Sequence, residues 1–393
     1  MKHFYILLFI LCASTSINAQ KPLVWSFSTK AGVYSSPTID RNFIYVGSND
    51  SCLYALNKVD GKLKWKFKTQ GEIKSKPLLH NGSVIFNSTD GLLYSLDKTN
   101  SELQWTFKTE GEKNLDMWDY YLSSPVFYKD LVFFGSGDGN VYAIDPTSGK
   151  EVWKHKTEGI VHATPVAKNN RIYIGSFDGV FYALDYSTGG VIWTFKTVGA
   201  AYFPNGEIQK GAALYENSVI FGSRDYNIYS LDIETGRGLW NMKERGSWVI
   251  ATPLVYKDAI YFGTSDTHRF YGLNAKNGGI KWTIPLNMRV YGEAVPYEEQ
   301  IIFGCFNGKL YTLNHSNGEV EQIFQTEGSK KNYYNIYNEN DAFKEDFEIY
   351  GNNAENSEKK ILELGAILST PAIENGIVYF GDANGIIYAV KIN

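Results

Sequence analysis

Cysteine and histidine are scarce in this sequence, so it has few of the side chains that usually build metal, haem and disulfide sites. Among 393 residues there are 3 cysteines and 6 histidines, with no CxxC or CxxCH motif. Cys52 and Cys305 fall in distant repeats of the chain, and we therefore expect no disulfide between them. The spacing matches no zinc, c-type haem or thioredoxin pattern, so we predict neither a metal site nor a cofactor.

The sequence also lacks an excess of positive charge. Its 38 Lys and Arg residues are outnumbered by 42 Asp and Glu residues, which gives a formal net charge of −4. A nucleic-acid-binding surface depends on clustered positive charge, so we predict no nucleic-acid partner. The apolar run at residues 4–12 is shorter than the roughly 20 residues that a membrane-spanning helix needs, and we expect no membrane span.

The N-terminal segment has the layout of a secretory signal. Lys2 precedes the apolar run, and small and polar residues follow the run. This layout predicts a signal peptide over residues 1–19, cleaved before Gln20, and hence a secreted or periplasmic protein. Lipid attachment at Cys12 is the less favoured alternative, because Leu11 stands where a lipoprotein signal carries a small residue.

Aromatic residues and glycine are abundant, and they recur in one repeated motif. The motif reads aromatic-Gly-Ser-x-Asp-Gly-x-x-Tyr-Ala-Leu-Asp. Its tyrosine occupies eight positions: Tyr54, Tyr94, Tyr142, Tyr182, Tyr229, Tyr271, Tyr311 and Tyr388. Alternating apolar segments separated by Gly, Asp and Asn turns indicate short strands joined by hairpins.

Two further motifs accompany each unit. Small-Ser/Thr-Pro precedes most units, and Gly-x-x-x-Trp-x-Phe-x-Thr follows all but the last. The tryptophan position is occupied in turn by Trp65, Trp105, Trp153, Trp193, Trp240, Trp282 and Gln322. Four short strands per repeat of about 40 residues are typical of a propeller blade. An eighth copy, with Trp25, stands ahead of the first unit. We therefore predict an all-β, eight-bladed β-propeller over residues 20–393, closed by an N-terminal strand that completes the last blade.

These motifs, over residues 22–393, resemble the PQQ-like β-propeller repeat family. That family includes quinoprotein dehydrogenases and outer-membrane assembly lipoproteins of the BamB type, so the resemblance implies the fold closely and the function loosely. For a quinoprotein dehydrogenase it implies an adjacent-cysteine disulfide and calcium ligands in the funnel. The sequence has no Cys-Cys pair, and we expect no PQQ-dependent activity.

Insertions concentrate in one class of loop, from the outer strand of one blade to the inner strand of the next. The count from the Thr of the tryptophan motif to the next Ser/Thr position is 7 after Thr29, 15 after Thr109, 14 after Thr197 and 44 after Thr326. These loops share a face with the Gly-Ser-x-Asp-Gly hairpins, which we call the top face. In repeat proteins, insertions on one face often mark the binding face.

The largest insertion, residues 327–366, is predicted to form a lid-like subdomain within the propeller. It contains nine acidic residues and five lysines, a net charge of −4. Its aromatic spacing predicts a helix over residues 341–350. A second helix is predicted over residues 356–364, capped by Asn356 or Ser357.

Aromatic and basic side chains are concentrated on the top face. The predicted substrate-binding residues are Trp118, Tyr121, Tyr202, Phe203, Arg224, Tyr226, Trp248, His268 and Arg269. Flat aromatic rings stack on sugar rings, and arginine pairs with carboxylate or sulfate. We therefore favour an acidic (uronate or sulfated) oligosaccharide or polysaccharide as the partner.

β-Elimination on a uronate is the reaction that these residue types fit best. His162 precedes an inner strand and is predicted to face the funnel as catalytic base or acid, with Tyr291 as its partner. Arg245 or Arg289 would hold the substrate carboxylate and stabilise the developing enolate, and His268 is the reserve histidine. The leaving group would be a sugar in a lyase and water in a dehydratase.

Two other functions stay open. Glycoside hydrolysis needs two juxtaposed carboxylates, for which Asp116, Asp119 and Glu293 are the candidates. A non-catalytic, BamB-like assembly or interaction scaffold would bind an envelope protein by backbone pairing and would need no histidine.

Overall fold

The computed structural model describes residues 21–350 and 353–392 as eight four-stranded antiparallel sheets, the blades of a propeller. The predicted signal segment, residues 1–19, lies outside the described residues. In each blade the strands follow chain order from the central channel to the rim, except that the first strand, β1 (Leu23–Ser28), belongs to blade 8.

Blades 1 to 4 follow one another along the chain. Blade 1 contains β2 (Thr38–Ile39), β3 (Phe43–Ser48), β4 (Cys52–Asn57) and β5 (Leu63–Lys68). Blade 2 contains β6 (Leu78–His80), β7 (Ser83–Asn87), β8 (Leu92–Asp97) and β9 (Leu103–Lys108). Blade 3 contains β10 (Val126–Tyr128), β11 (Leu131–Gly135), β12 (Asn140–Ile144) and β13 (Glu151–Lys156). Blade 4 contains β14 (Val166–Lys168), β15 (Arg171–Gly175), β16 (Val180–Asp185) and β17 (Val191–Lys196).

Blades 5 to 8 complete the ring. Blade 5 contains β18 (Ala213–Tyr215), β19 (Ser218–Gly222), β20 (Asn227–Asp232) and β21 (Gly238–Lys243). Blade 6 contains β22 (Leu254–Tyr256), β23 (Ala259–Gly263), β24 (Arg269–Asn274) and β25 (Ile280–Pro285). Blade 7 contains β26 (Val295–Tyr297), β27 (Gln300–Gly304), β28 (Lys309–Asn314) and β29 (Val320–Gln325). Blade 8 contains β30 (Ala372–Glu374), β31 (Ile377–Gly381) and β32 (Ile386–Lys391), with β1 outermost.

The predicted closure of the ring is confirmed. Strand β1 pairs antiparallel with β32, where Trp25 faces Ala389 and Phe27 faces Ile387. The two ends of the chain therefore share one sheet, and the ring has no open end that could expose an unpaired blade face.

The Asp and Tyr of the repeated motif hold the top hairpins together. The Tyr54 hydroxyl donates a hydrogen bond to Asp50 at 2.6 Å, and Tyr142 donates to Asp138 at 2.7 Å. The second oxygen of Asp50 accepts the backbone N–H of Cys52 at 3.0 Å. One carboxylate therefore satisfies both the turn and the following strand, which gives these repeated residues an architectural role.

The tryptophans of the outer strands lock neighbouring blades together. Trp25 donates its indole N–H to the carbonyl oxygen of Lys58 in blade 1 at 3.0 Å, and its ring covers Gly61. Gly61 has a φ of +70°, and a Cβ there would lie 2.6 Å from the ring. Trp153 covers Gly189 of the next blade in the same way, with 2.5 Å to such a Cβ. The spacing of Trp and Gly in the sequence thus encodes blade-to-blade packing.

The core lies between the blades. The middle strands are buried on both faces because a neighbouring blade covers each side; all residues of β4 from Cys52 to Leu56 are buried. The outer strands alternate, and in β5 the side chain of Trp65 is buried between exposed neighbours. This pattern is the period of two expected for a strand with one solvated face.

The insertion after β29 contains two helices, α1 (Glu327–Ile336) and α2 (Ala354–Leu362). The helix predicted over residues 341–350 is wrong, because this stretch has turns and a single bridge between Tyr337 and Phe343. The Asn338 side chain accepts the backbone N–H groups of Asn340 and Ala342, at 2.9 and 3.2 Å. These local bonds stabilise a turn in competition with a helix.

The boundaries of the two observed helices follow their caps. Thr326 caps α1, and its hydroxyl accepts the N–H of Ser329 at 3.3 Å. This helix was missed in the sequence, although a Thr followed by Glu327 is a standard helix start. The predicted second helix exists, but it begins at Ala354 with Asn353 as its N-cap, ahead of the predicted caps Asn356 and Ser357.

Aromatic and aliphatic side chains fix the insertion on the top face. Tyr337 of the insertion and Ile361 of α2 are fully buried. They share one hydrophobic cluster with Tyr120, Trp248 and Phe306 of the top-face loops and hairpins. No helix among the described residues is long and apolar enough to cross a membrane.

Candidate functional site on the top face

Side chains fill the channel where the top-face loops enter the inner strands. Each blade contributes one side chain at this level, from the residue two positions before its Ser/Thr-Pro motif or the equivalent of that motif. Six of these eight side chains are buried: Leu122, His162, Gln209, Ile250, Tyr291 and Leu368. The remaining two, Tyr34 and Lys74, are half-buried. The predicted funnel is therefore a packed plug at this level, and access to it depends on the loops above.

His162 is held between two carboxylates of the first insertion. Its Nδ1 lies 2.9 Å from Oδ1 of Asp119, and its Nε2 lies 3.3 Å from Oε2 of Glu112. The ring is 1% exposed and packs edge-on against Phe177, with 5.7 Å between centroids. Both nitrogens are thus occupied by acceptors supplied by the protein itself.

The surroundings of His162 favour its charged form. Burial lowers the pKa of the imidazole, but the hydrogen bonds to Asp119 and Glu112 outweigh this effect and raise its pKa to about 9. The ring is protonated at neutral pH and donates to both carboxylates. A protonated imidazole has no lone pair for proton abstraction, so at neutral pH this geometry suits an acid or a structural cation better than a base.

Arg224 forms a second buried network with the same insertion. Its Nη1 lies 2.5 Å from Oδ2 of Asp116, and its Nη2 lies 2.8 Å from Oε1 of Gln209. The guanidinium also stacks on Trp248, 4.6 Å from the ring centroid. The side chain is 1% exposed, so its charge is neutralised inside the protein.

Arg289 and Tyr291 belong to a third network, under the 327–366 subdomain. Arg289 forms an ion pair with Glu358 of α2, which also accepts a hydrogen bond from Tyr120. The Tyr291 hydroxyl lies 2.7 Å from the hydroxyl of Ser265. Both Arg289 and Tyr291 are buried. In the part of the chain that the structure describes, no hydrogen bond joins His162 to Tyr291 or to either arginine predicted to hold a carboxylate.

Three predicted aromatic residues form a bridge between the insertions. Trp118 lies edge-on to Trp248 at 5.6 Å, and Phe203 lies edge-on to Trp248 at 4.6 Å. Tyr121 is buried, and its hydroxyl donates to the carbonyl oxygen of Leu368 at 3.0 Å. These rings hold the top-face loops against one another, and they border the solvent-exposed surface of those loops.

The remaining predicted residues are accessible to different extents. Tyr202 is 84% exposed, and Arg245 and Arg269 are exposed. Tyr226 and His268 are half-buried. Burial, reinforced by the charge of Arg289, lowers the pKa of His268 to about 4, so this reserve histidine is neutral at physiological pH.

The carboxylate partners were only partly foreseen. The sequence indicates Asp116 and Asp119 as candidate hydrolytic acids but not their pairing with Arg224 and His162, and Glu112 and Glu358 are not among the predicted residues. The charges of the insertions gave a signal: acidic residues stand in loops that face buried basic positions. Pairing them requires knowledge of how the loops fold over the channel.

The plug does not fit a quinone cofactor. Cys52 and Cys305, the two cysteines in the described part of the chain, are free and buried in different blades, so neither forms a disulfide beside the channel. The space on the axis is taken by buried side chains such as Tyr121 and Tyr291. Within residues 21–350 and 353–392, no group of three or more His, Cys, Asp or Glu side chains is arranged to hold a metal ion.

Solved structures with similar folds span several kinds of protein. BamB from Moraxella catarrhalis is 17% identical, covers 94% of this chain and 99% of its own, and superposes with a TM-score of 0.70. A computationally designed protein, Ika8, is 15% identical, with 95% and 100% coverage and a TM-score of 0.68. The quinohemoprotein alcohol dehydrogenase ADHIIG from Pseudomonas putida is 13% identical, with 94% and 76% coverage and a TM-score of 0.70. At these identities the likeness shows the fold alone.

The sequence itself matches one family. No curated protein matches it significantly. The family model described as outer membrane protein assembly factor BamB matches residues 15–200, 115–241 and 178–341, as expected for overlapping registers of a repeat. Because these matches extend over more than half of the chain, the protein belongs to the BamB-like family of PQQ-type repeat propellers.

Proposed function

We propose that this protein is a non-catalytic scaffold of the cell envelope that binds a protein partner across its top face. The family description, an outer membrane protein assembly factor, supports a role in assembling envelope proteins. The signal-like N-terminal segment is consistent with that compartment.

The observation that carries the proposal is the internal neutralisation of the top-face cations. His162, Arg224 and Arg289 are all buried, and each is paired with carboxylates of this chain. An anionic ligand would have to displace a carboxylate of this chain from each of these buried cations, and the displaced carboxylate would lose its partner. Breaking a buried ion pair costs about 3–5 kcal/mol. The networks therefore favour a fixed framework over a catalytic pocket.

Large apolar side chains are exposed around this framework. Leu115, Met117, Tyr202 and Tyr350 are 44%, 38%, 84% and 44% exposed, and we call them the top-rim patch. The patch adjoins the Trp118–Trp248–Phe203 bridge. Met117 and Tyr202 are sequence neighbours of its members, and the ring centroids of Tyr350 and Trp118 lie 6.4 Å apart. Clustered aromatic and methionine side chains with a rigid base are typical of protein-binding surfaces.

The charge beside the patch indicates the chemistry of the partner. Exposed acidic residues of the 327–366 subdomain, including Glu345, Asp346 and Glu355, lie in the same insertion as Tyr350. A partner segment that combines aromatic or aliphatic anchors with flanking lysine or arginine would complement this surface.

Site-specific photo-crosslinking in cells tests the proposal. A photoreactive phenylalanine analogue replaces Tyr202 in one strain and Val59 in another; Val59 is 72% exposed but lies in a bottom-face turn. We expect a discrete adduct with an envelope protein from position 202 and none from position 59. The proposal is wrong if position 202 gives no adduct, or if both positions give the same diffuse products.

Binding of an acidic oligosaccharide is the second candidate, and one observation favours it. Arg245 and Arg269 are exposed on the top face, and no ion pair joins either of them to another residue in the described part of the chain. They could hold a uronate carboxylate or sulfate, with the Tyr202 ring as a stacking surface. Elimination would further require His162 to exchange a carboxylate partner for the substrate.

Mass spectrometry distinguishes the second candidate from the first. The purified protein is incubated with a panel of uronate-containing and sulfated oligosaccharides, beside the variants Arg269→Met and His162→Ala. Cleavage or loss of water that both variants abolish would support an eliminase and contradict a non-catalytic scaffold. Unchanged masses across the panel would exclude elimination of these substrates.

A further inference from the structure

The central channel contains a cavity below the plug, on the side of the bottom-face turns. Its volume is about 700 Å³, which is within the range of small-molecule sites. It is lined by the inner strands and the Ser/Thr-Pro positions of the blades. Glu293, a candidate acid for hydrolysis, lines it, whereas the predicted substrate-binding residues and the predicted eliminase residues do not. It is therefore a separate site from the top-rim patch.

At the upper end of this cavity, most of the eight inner strands are preceded by small or hydroxyl side chains at equivalent positions. Three charged residues interrupt this pattern. Lys76 and Glu293 occupy the Ser/Thr position in blades 2 and 7, where five other blades carry Ser or Thr. Lys210 stands one residue earlier in blade 5, at a position where the other blades carry only Ser, Ala or Gly. We call Lys76, Lys210 and Glu293 the charged waist.

Several Ser and Thr hydroxyls at these positions accept backbone N–H groups from a neighbouring blade. Ser124 Oγ accepts the backbone N–H of Lys76 at 2.9 Å, and Thr370 Oγ1 accepts that of Glu293 at 3.2 Å. Lys210 Nζ lies over the ring of Tyr121, 3.5 Å from its centroid. Among the residues that the structure describes, no ion pair or side-chain hydrogen bond is formed by the three charged groups.

The waist carries a net positive charge at neutral pH. Burial raises the pKa of Glu293 to about 7, against the opposing effect of the two lysines, so its carboxyl group is partly protonated. Burial lowers the pKa of Lys210 to about 8, and this lysine is still mostly charged at pH 7. Lys76 is exposed to solvent. Two ammonium groups thus face, at most, one negative charge.

Below the Ser/Thr positions the cavity wall is mostly apolar, although it includes Thr38. Three residues further along the inner strands lie Ile39, Leu79, Phe127, Ala167 and Leu214, which we call the apolar band. A rise of about 3.3 Å per residue places this band about 10 Å from the waist. All five side chains are half-buried. The cavity is therefore charged at its upper end, next to the plug, and mostly apolar towards the bottom face.

We propose that this cavity binds an amphiphilic monocarboxylate, with its carboxylate between Lys76 and Lys210 and its apolar chain along the apolar band. A monoanion matches the net charge of the waist, and a partly protonated Glu293 can donate a hydrogen bond to it. The length of the apolar wall matches a chain of several methylene groups, each of which contributes about 0.8 kcal/mol when buried. The site is independent of the proposed scaffold role, because it opens away from the top face.

Calorimetric titration with three probes tests the chemistry of the ligand. The purified protein is titrated with decanoate below its micelle-forming concentration, with decanol and with acetate. We expect decanoate to bind at least about tenfold more tightly than either control, because only decanoate offers both the charge and the chain. Equal binding of decanol or of acetate, or no binding of decanoate, would overturn the proposal.

Two variants locate the site. Lys210→Met should weaken decanoate binding by about tenfold or more, whereas Lys154→Met, an exposed lysine on outer strand β13, should leave it unchanged. Glu293→Gln keeps a hydrogen-bond donor and removes the titration of this group, so it should reduce the loss of affinity that we expect of wild type between about pH 6 and about pH 8. The loss that remains in this variant comes from the titration of Lys210. If Lys210→Met does not fold, the pH profile of Glu293→Gln decides alone. Unchanged affinity in Lys210→Met, or identical pH profiles of Glu293→Gln and wild type, would contradict the assignment.

Discussion

The Nδ1 atom of His162 lies 2.9 Å from Oδ1 of Asp119, and neither side chain is exposed to solvent. Asp119 belongs to the insertion between β9 and β10, whereas His162 leads into β14 of the next blade. The pair therefore fastens an irregular loop to the repeating framework. The same holds for Arg224 with Asp116 and for Arg289 with Glu358, so three charge pairs anchor the insertions.

The His162 pair predicts a pH-dependent stability. The pKa of His162 is about 9 in the folded protein, against 6.5 for an unperturbed imidazole. A raised pKa stabilises the fold fully below about pH 6.5, and this contribution is lost as the pH rises through 9. We expect the free energy of unfolding of wild type, relative to His162→Gln, to fall by up to about 3 kcal/mol between about pH 6 and about pH 9.5.

Urea unfolding at a series of pH values measures this effect. His155→Gln is the matched control, because His155 lies on outer strand β13, and burial lowers its pKa. Its removal should not change the pH profile above about pH 6.5. Parallel profiles of wild type and His162→Gln would show that the ring is not held protonated.

The Arg224–Asp116 ion pair predicts that substitutions at these two residues, which lie far apart in the sequence, have strongly coupled effects on stability. Arg224 is 1% exposed and the Asp116 side chain is 27% exposed, so removing Asp116 leaves a buried guanidinium short of an acceptor. We expect Asp116→Asn to lower the free energy of unfolding by about 2 kcal/mol, and Arg224→Met to abolish most of this effect in the double mutant. The measurement is a double-mutant cycle by urea unfolding.

The exposed Lys154–Glu110 pair is the control for this cycle. Its nitrogen–oxygen distance of 2.6 Å is nearly the same, but both side chains are exposed. Water screens such pairs, so Lys154→Met should cause no measurable change in stability. Additive effects of Asp116→Asn and Arg224→Met would mean that the pair is not formed in solution.

The repeat made the fold readable from sequence. Eight copies of one motif specify strand order, hairpins and blade packing, because Asp50 and Tyr54 bond within one hairpin and Trp25 covers Gly61 of the adjacent blade. The displaced tryptophan strand also predicted closure, since an eighth outer strand could come only from the N-terminus. These inferences depend on short-range chemistry that each copy repeats.

The candidate site was less predictable, because it is made of loops that occur once. Arg224 stacks on Trp248 in the folded protein, but whether such residues are free or paired depends on how three insertions pack together. The helix predicted over residues 341–350 failed for the same reason: the Asn338 side chain stabilises a turn, and Phe347 is buried by tertiary packing. Long-range packing of unique segments has no periodic signal.

Glu358 is predicted to hold the 327–366 subdomain on the propeller. It forms an ion pair with Arg289 and accepts from Tyr120, and it is 5% exposed. Glu358→Gln removes the charge but keeps the shape, so the guanidinium loses its counter-ion. We expect faster amide hydrogen exchange in α2, by about tenfold or more, since the loss of a buried charge partner costs well over 1 kcal/mol.

Glu355→Gln provides the comparison within the same helix. Glu355 is exposed, and its replacement should leave exchange in α2 unchanged. Exchange should also stay unchanged in blade 2 for both variants, because the loosening is local. Equal protection of α2 in Glu358→Gln and wild type would show that the aromatic contacts alone fix the subdomain.

Closure of the ring by β1 predicts that a single tryptophan near the N-terminus controls the stability of the whole propeller. Trp25 is 7% exposed and fills the gap between blades 8 and 1. Trp25→Ala should lower the free energy of unfolding by about 3–5 kcal/mol, the usual cost of removing a buried aromatic side chain. Val24, on the same strand, is 42% exposed, and Val24→Ala should change it by less than about 0.5 kcal/mol. Thermal and urea unfolding of both variants measure the difference. If the two variants were equally stable, β1 would not be part of the cooperative unit, and the ring would be held closed by the seven other blade contacts.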